Sequence, residues 1–258
     1  MGAGLLSVSQ AQVRGRWLEI RRTSGNVTYL RSGSRAARVG DRLEASGHGV
    51  NTGRNASAVL SIDNGIGTVT VAQNTRLSVE RLDTLSNGAT VTLLNVPQGQ
   101  ARIQARTLSN PSSRLELHTP SGVAAVRGTE FGVSVSDTGK TSVGTLEGTV
   151  DAVAQGELVL VEAGFASAIP PGEPPTPPQP LDRELVFELI LLEQQDRMLL
   201  LEGQVNPTNT VLLEGQDVPV SLTGEVSTTI SRSNPDLPIT LTVRNPLGES
   251  KDYRLAVR

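Results

Sequence analysis

The chain has 258 residues, of which 37% are hydrophobic, 19% charged and 2% aromatic, and its formal net charge is −3. This composition excludes a disordered chain and a membrane-embedded one, and the lack of a dense basic run and of many aromatic rings argues against nucleic-acid binding. Because the sequence contains no cysteine, disulfides and cysteine-bound metals are excluded. The length allows two modest domains with aliphatic cores.

Residues 1–12 are predicted to be the remnant of a secretory signal peptide. A short apolar stretch in MGAGLLSVSQAQ precedes Ser9, Gln10 and Ala11, which form a small-x-small cleavage pattern, so the mature chain would start at Gln12. An ordinary floppy N-terminus is the alternative. A processed leader favours a location outside the cytoplasm, either periplasmic or secreted to the cell surface.

Residues 13–169 are predicted to form one β domain of many short antiparallel strands. Apolar and polar residues alternate in segments such as GTVTVAQ (67–73), RLSVERL (76–82) and ATVTLLNV (89–96), and the pattern continues to GELVLVEA (156–163). Turn sequences rich in Gly, Asn and Asp separate these segments. Short strands at this spacing, without helical periodicity, predict a sandwich, a roll or a barrel.

Residues 170–180, PPGEPPTPPQP, are predicted to be a linker. Seven of these eleven residues are proline, a composition that excludes a helix and a central strand. A polyproline II segment of this length would be a semi-rigid spacer of about 30 Å when fully extended. A Pro-rich peptide ligand is the alternative interpretation.

Residues 181–258 are predicted to form a second, smaller β domain, so the whole chain is all-β. RELVFELILLEQ and RMLLLEGQV read as a hairpin around Gln195 and Asp196, although the first segment could be a short helix. The later strands and turns are typical of a small immunoglobulin-like sandwich. This segment is similar to the bacterial Ig-like modules of envelope and secreted proteins.

The segment TPSGVAAVRGTEFGVSV (119–135) resembles the signature of the FecR domain family, in which TP-x-x-x-A-x-V-R-G-T-E-F precedes a hairpin and an LEG-x-V strand. The second part of the signature is LEGTV (146–150). The resemblance covers roughly residues 20–170, and the whole architecture resembles the short secreted FecR-domain proteins that are common in cyanobacteria. The best-known members pass an iron-siderophore signal from the outer membrane to a sigma factor. For this chain the resemblance implies the FecR fold and a location outside the cytoplasm.

The signature is predicted to be a structural anchor. Gly128 interrupts a strand-prone segment, which indicates a bulge or a close backbone approach that redirects Arg127 and Glu130. These two side chains could form an ion pair that fixes the strand, or they could contact a ligand, with Arg127 binding a carboxylate or a phosphate. The anchor is favoured, because it explains a motif shared by proteins with different ligands. The signature residues are Thr119, Pro120, Arg127, Gly128, Thr129, Glu130, Phe131, Glu147 and Gly148.

No catalytic, cofactor-binding or metal-binding residues are predicted. TGKTS (138–142) imitates the end of a phosphate-binding loop, but Ser134 stands where the loop needs glycine. His48 and His118 have no metal-ligand spacing around them. We therefore expect a non-catalytic binding or scaffolding protein of the bacterial envelope, with an envelope protein or polysaccharide as partner and an open oligomeric state. A ligand-sensing component of an iron-type signalling system and a glycan- or peptidoglycan-binding protein are the alternatives.

Overall fold

The structure, a computed structural model, describes residues 15–63, 65–126, 128–234 and 237–256. The predicted signal-peptide remnant, 1–12, and Arg127 lie outside the described residues. The described residues form strands and turns without any helix, so the chain is all-β as predicted. It follows that no described helix could span a membrane.

Seventeen strands form in the part of the chain described before residue 181. They are β1 (Leu18–Ser24), β2 (Val27–Leu30), β3 (Ser34–Ala36), β4 (Arg42–Leu43), β5 (Gly49–Thr52), β6 (Ser57–Ile62), β7 (Gly67–Val71), β8 (Arg76–Thr84), β9 (Thr90–Ala105), β10 (Arg114–His118), β11 (Val123–Val126), β12 (Glu130–Val135), β13 (Thr141–Glu147), β14 (Thr149–Ala154), β15 (Glu157–Glu162), β16 (Phe165–Ile169) and β17 (Gln179–Pro180).

These strands form two sheets that share the long strand β9. One sheet has the order β4–β1–β6–β7–β9–β12–β13–β16–β17, and the other has the order β3–β2–β5–β8–β9–β10–β11–β14–β15. Strand β9 passes from one sheet to the other at Gly99, which has a φ of +87° and lies against Thr75. A residue with a side chain is strained at this φ, so glycine permits the crossing. The result is a two-layer roll.

One strand pair differs from the antiparallel arrangement that the alternation predicts. Strand β10 runs parallel to the first half of β9, with Leu115 opposite Thr92. Residues 106–113 carry the chain from the end of β9 back to its beginning, so the next strand starts in the same direction. The antiparallel prediction is wrong for this pair, because alternation reports which face is buried and not which way a neighbour runs.

The core of this first domain lies between its two sheets and is largely aliphatic. Strand β6 shows the pattern, since Ala58, Leu60 and Ile62 are buried while the residues between them are half-buried. Two aromatic side chains, Tyr29 and Phe131, join the same cluster. The period-two pattern of the sequence therefore marks the core-facing residues correctly.

The remaining strands, which follow the linker, are β18 (Glu188–Gln195), β19 (Met198–Gln204), β20 (Thr210–Leu213), β21 (Gln216–Val218), β22 (Glu225–Ser231), β23 (Ile239–Arg244) and β24 (Ser250–Leu255). They form a sheet of order β18–β19–β22 and a sheet of order β21–β20–β23–β24, with a shared apolar core.

The segment RELVFELILLEQ, for which a short helix is the alternative prediction, contributes strand β18 of the β18–β19 hairpin. The predicted Ig-like identity of this domain stays a prediction. Its two-sheet arrangement is compatible with that prediction.

The Pro-rich linker is not an extended spacer. Thr176 N donates to Ala168 O at 2.8 Å, and Ser167 Oγ donates to Thr176 O at 2.7 Å. Two residues of the linker pair with the edge strand β16 as β17. The spacer prediction is wrong here, because polyproline II backbone keeps free carbonyl groups, and an edge strand offers them partners.

Candidate functional site at the domain junction

Thr119 and Pro120 begin the tight turn between β10 and β11. The Thr119 hydroxyl donates to Gly122 O at 2.9 Å and accepts from Gly122 N at 3.1 Å. It also accepts a hydrogen bond from Thr141 Oγ1 at 2.8 Å. This part of the signature therefore ties its own turn to the start of β13, so its contacts are structural.

Gly128 lies at a close approach of two backbone segments. Its φ is +130°, and a Cβ at this position would lie 2.8 Å from Thr107 N and nearer still to Thr107 Cα. Both the conformation and the space require glycine. The neighbouring Arg127 lies outside the described residues, so its predicted role as anchor or ligand contact stays a prediction.

The two halves of the signature lie against each other. Glu147 is opposite Glu130 in the ladder between β12 and β13, and the register shifts at this pair, as it does at a bulge. A Cβ at Gly148, whose φ is +78°, would lie 2.7 Å from Thr129 Cγ2. Phe131 is fully buried in the core. These contacts make the signature a packing unit.

The Glu130 carboxylate bonds to side chains of β9. Arg102 Nε donates to Glu130 Oε1 at 2.9 Å, and Gln104 Nε2 donates to Glu130 Oε2 at 3.3 Å. The Glu130 side chain is only 14% exposed. Among the described residues, the ion pair of Glu130 is therefore with Arg102, a partner that sequence reasoning did not find.

Lys140 follows the turn between β12 and β13 and crosses to the C-terminal domain. Its Nζ donates to Pro207 O and to Val220 O, both at 2.9 Å, and the residue is only 8% exposed. TGKTS is a hairpin segment, as the sequence indicates, but its lysine bonds to another domain and has no phosphate-loop geometry around it. Lys140 is thus a bridge between the two domains.

Asp217 lies on β21, on the other side of the same contact. Its Oδ2 accepts a hydrogen bond from Asp137 N at 2.8 Å, and its Oδ1 is buried without a partner among the described residues. Burial raises the pKa of Asp217 to about 6, and burial lowers the pKa of Lys140 to about 8. The junction therefore holds two groups whose charge is costly near neutral pH.

An apolar contact completes the junction. Leu181, the residue after the linker, packs with Ala166 and Leu247 in a small buried cluster. Gly132 on β12 lies directly beneath the loop between β23 and β24, and a Cβ there would collide with the carbonyl group of Pro246, whose carbon would be 2.8 Å away. The two domains are thus in direct backbone contact at this point.

A polar groove runs along the junction beside these contacts. Two adjoining cavities of about 580 and 510 Å³ share Gln73, Gln100 and Arg244 in their walls. Gln73 and Gln100 belong to the first domain and Arg244 to the second, so neither domain forms the groove alone. Among the described surfaces, this groove is the candidate ligand site.

The two histidines lie away from the groove. His118 lies between two carboxylates, with Nδ1 2.7 Å from Glu80 and Nε2 3.0 Å from Glu116. His48 packs edge-on against the Tyr29 ring. Within the described residues, no group of three or more His, Asp or Glu side chains is placed to hold a metal ion.

Comparison with known proteins supports the family assignment. The family model described as FecR protein matches residues 48–151. This match covers less than half of the chain and agrees with the resemblance of residues 119–135 and 146–150 to the FecR signature. No curated protein matches the chain significantly.

Two solved structures are similar to part of this chain. Both are crystal structures of a candidate anti-sigma factor from Parabacteroides distasonis ATCC 8503, at 1.65 and 2.50 Å resolution, with 12% and 14% sequence identity. The matches have TM-scores of 0.43 and 0.41, cover 52% of this chain, and span only 60% and 59% of those chains. These low values give no information about the function of this chain.

Sequence signals for the junction were present but were not specific. Gly132 and Gly144 interrupt strands β12 and β13, and glycine inside a strand often marks a place where another backbone comes close. Lys140 is the single lysine before the linker in a chain whose other basic residues there are arginine. Neither signal identifies the partner, because the contacted carbonyls are more than 60 residues away along the chain.

Proposed function

We propose that this protein is a non-catalytic, extracytoplasmic binding and scaffolding module of the bacterial cell envelope. The observation that carries the proposal is the junction: the C-terminal domain is docked on the FecR domain through Lys140, the Leu181 cluster and the Pro246 contact. Two docked domains present one composite surface with a groove between them. Such a surface suits recognition of a partner that touches both domains.

The extracytoplasmic location is part of this proposal. Its support is the small-x-small pattern near the N-terminus and the FecR domain itself. The non-catalytic role is supported by the signature, whose described side chains make packing contacts, cross-strand bonds and turn bonds.

A second candidate function is a component of a cell-surface signalling system. The match to the FecR model over residues 48–151 favours it. Such a role needs a protein partner that passes the signal on. Co-purification of a membrane-bound regulator with the chain would favour this candidate over a purely scaffolding role.

The test of the main proposal asks whether partner binding requires the composite surface of the two docked domains or only one of the domains. In Gly132→Ala the new Cβ points at Pro246, and the three nearest atoms that it would meet all belong to the second domain. We therefore expect this variant to push the domains apart while each domain keeps its fold. Tagged wild-type and variant chains are used to recover partners from an envelope extract, and we expect Gly132→Ala to lose the partner that the wild type retains.

The matched control is Gly33→Ala, because a Cβ at Gly33 would meet nothing within 4 Å. This variant is expected to recover the same partner as the wild type. Failure of the wild type to enrich any envelope component, or recovery of the full chain in the cytoplasmic fraction, would contradict the proposed function. Equal recovery by Gly132→Ala would show that the composite surface is not needed.

A further inference from the structure

Arg244 lies in the middle of the groove without a bonded acceptor. It ends strand β23 and lines both adjoining cavities. Among the described residues, none accepts a hydrogen bond from its guanidinium; Asp252 attracts it only from a distance, and the Asp252 carboxylate is already bonded to Thr242 Oγ1 at 2.7 Å. Burial lowers the pKa of Arg244. A partly desolvated guanidinium without an acceptor costs stability, which is typical of a side chain kept for a ligand.

Gln100 places an unpaired acceptor in the same groove. Its Nε2 donates to Asn245 O at 2.7 Å, which fixes the orientation of the amide. Its Oε1 is buried and has no partner among the described residues, and the whole residue is only 4% exposed. A buried carbonyl oxygen without a donor is unfavourable, so a donor from a ligand is expected to be stabilising.

The rest of the groove is lined mostly by polar side chains, and the larger cavity also contains two carboxylates, Asp137 and Asp217. Amide side chains dominate the larger cavity: Asn51, Gln73, Asn74, Gln98 and Gln216. The smaller cavity contains two arginines, Arg102 and Arg244, and its described lining contains no carboxylate. Of the two, Arg102 is already paired with Glu130. Among the described lining residues, the arginine without a paired carboxylate is thus Arg244, and a ligand carboxylate is expected on the side of the smaller cavity, whose described lining contains no carboxylate.

We propose that this groove binds an acidic oligosaccharide, with a sugar carboxylate on the Arg244 guanidinium and sugar hydroxyls on the amide side chains and Gln100 Oε1. Arginine binds carboxylates through two parallel hydrogen bonds, and amides suit hydroxyl groups, which both donate and accept. An acidic peptide fits less well, because the groove has few apolar side chains to receive peptide side chains. This inference rests on the proposed binding function and specifies its ligand.

Because no aromatic ring lines either cavity among the described residues, affinity must come from hydrogen bonds and charge. Binding should therefore weaken as salt is added. The probe is an oligogalacturonate of about four to six sugars, which is titrated into the full chain by calorimetry. This length is an order-of-magnitude match to the cavity of about 580 Å³ together with the adjoining cavity. The methyl-esterified oligomer and a glutamate oligomer of similar length are titrated in parallel.

The decisive variant is Arg244→Gln, and its matched control is the exposed Arg254→Gln on the neighbouring strand β24. We expect Arg244→Gln and the methyl ester each to weaken binding roughly tenfold to hundredfold, as loss of a hydrogen bond to a charged group does. Arg254→Gln is expected to bind like the wild type. The melting temperature of Arg244→Gln is expected to stay the same or to rise, because the substitution removes an unpaired, partly buried charge.

Four results would overturn the inference. They are unchanged affinity of Arg244→Gln, equal or tighter binding of the glutamate oligomer, no binding of oligogalacturonate at millimolar concentration, and a clear fall in the melting temperature of Arg244→Gln, which would make Arg244 a structural residue. If any of these results is found while the wild-type chain still recovers an envelope partner, the proposed function stands and only the ligand inference fails. If the wild-type chain also recovers no envelope partner, both the proposed function and the ligand inference are contradicted.

Discussion

Glycine at position 128 shows how a single residue sets the geometry of the signature. The backbone of Thr107 fills the space that a side chain would occupy, and the φ of +130° is unfavourable for any other residue. Gly156 has a similarly left-handed conformation, with φ of +78°, but a Cβ there would meet nothing within 4 Å. Alanine substitutions at Gly128 and Gly156 therefore separate the cost of an unfavourable φ from the cost of a steric clash.

Gly128→Ala is expected to lower the free energy of unfolding by about 3 kcal/mol or more, because it adds a backbone clash to an unfavourable φ. Gly156→Ala, which adds only the unfavourable φ, is expected to cost about 1 kcal/mol. Urea unfolding followed by circular dichroism measures both values. Equal effects would mean that Thr107 moves away readily and that the signature is not tightly packed here.

Glu130 shows what could be predicted of the site and what could not. Its role in an ion pair near the signature is a sequence prediction, made from the chemistry of a carboxylate beside an arginine in a strand. Its described partner, Arg102, lies 28 residues earlier on β9. Register between distant strands decides this pairing, and a short window of sequence around Glu130 does not show which residues of β9 will lie beside it.

At the scale of elements, the hairpin between β12 and β13 is one of the parts of the first domain that contact the second domain. Ser121 Oγ donates to Gly139 O at 2.6 Å, so the turn that contains the start of the signature is hydrogen-bonded to the turn of this hairpin. Lys140 then donates to two carbonyls of the second domain. The signature thus connects, through two contacts, to the domain junction.

Lys140→Met is expected to lower the free energy of unfolding by about 1–2 kcal/mol, because it leaves two carbonyl groups without their donor while removing a buried charge. Lys251, the other lysine of the chain, is exposed and serves as the control, and Lys251→Met should change stability by less than about 0.5 kcal/mol. Urea unfolding of both variants measures the difference. A similar small effect for both would mean that Lys140 does not stabilise the junction.

At the scale of the whole molecule, the junction makes stability depend on pH. Burial raises the pKa of Asp217 to about 6 from its ordinary value of 3.8, and Asp137 and Lys140 are the charged groups that face it. The folded protein therefore holds this proton more tightly than the unfolded chain does. The resulting stabilisation is fully present below about pH 4 and is lost as the pH rises through 6.

We expect the Asp217 carboxyl to make the free energy of unfolding larger at pH 5 than at pH 7.5, and we expect Asp217→Asn to reduce this difference. Asp196→Asn, at an exposed turn between β18 and β19, should leave it unchanged. Unfolding in urea at the two pH values measures the effect. The change in pH dependence between the wild type and Asp217→Asn gives the contribution of the Asp217 carboxyl. An Asp217→Asn chain with the same pH profile as the wild type would show that the carboxyl does not titrate in this range.

The sequence by itself determined the all-β class, the match of residues 48–151 to the FecR family model and the position of the Pro-rich segment between two patterned regions. These features are local, since alternation, turn residues and the signature are all readable within short windows. Only the tertiary structure decided the parallel pairing of β10, the docking of the linker on β16, the Arg102–Glu130 pair and the groove around Arg244. Each of these joins residues far apart in the chain, and such contacts depend on register and on how two domains pack, which no local pattern encodes.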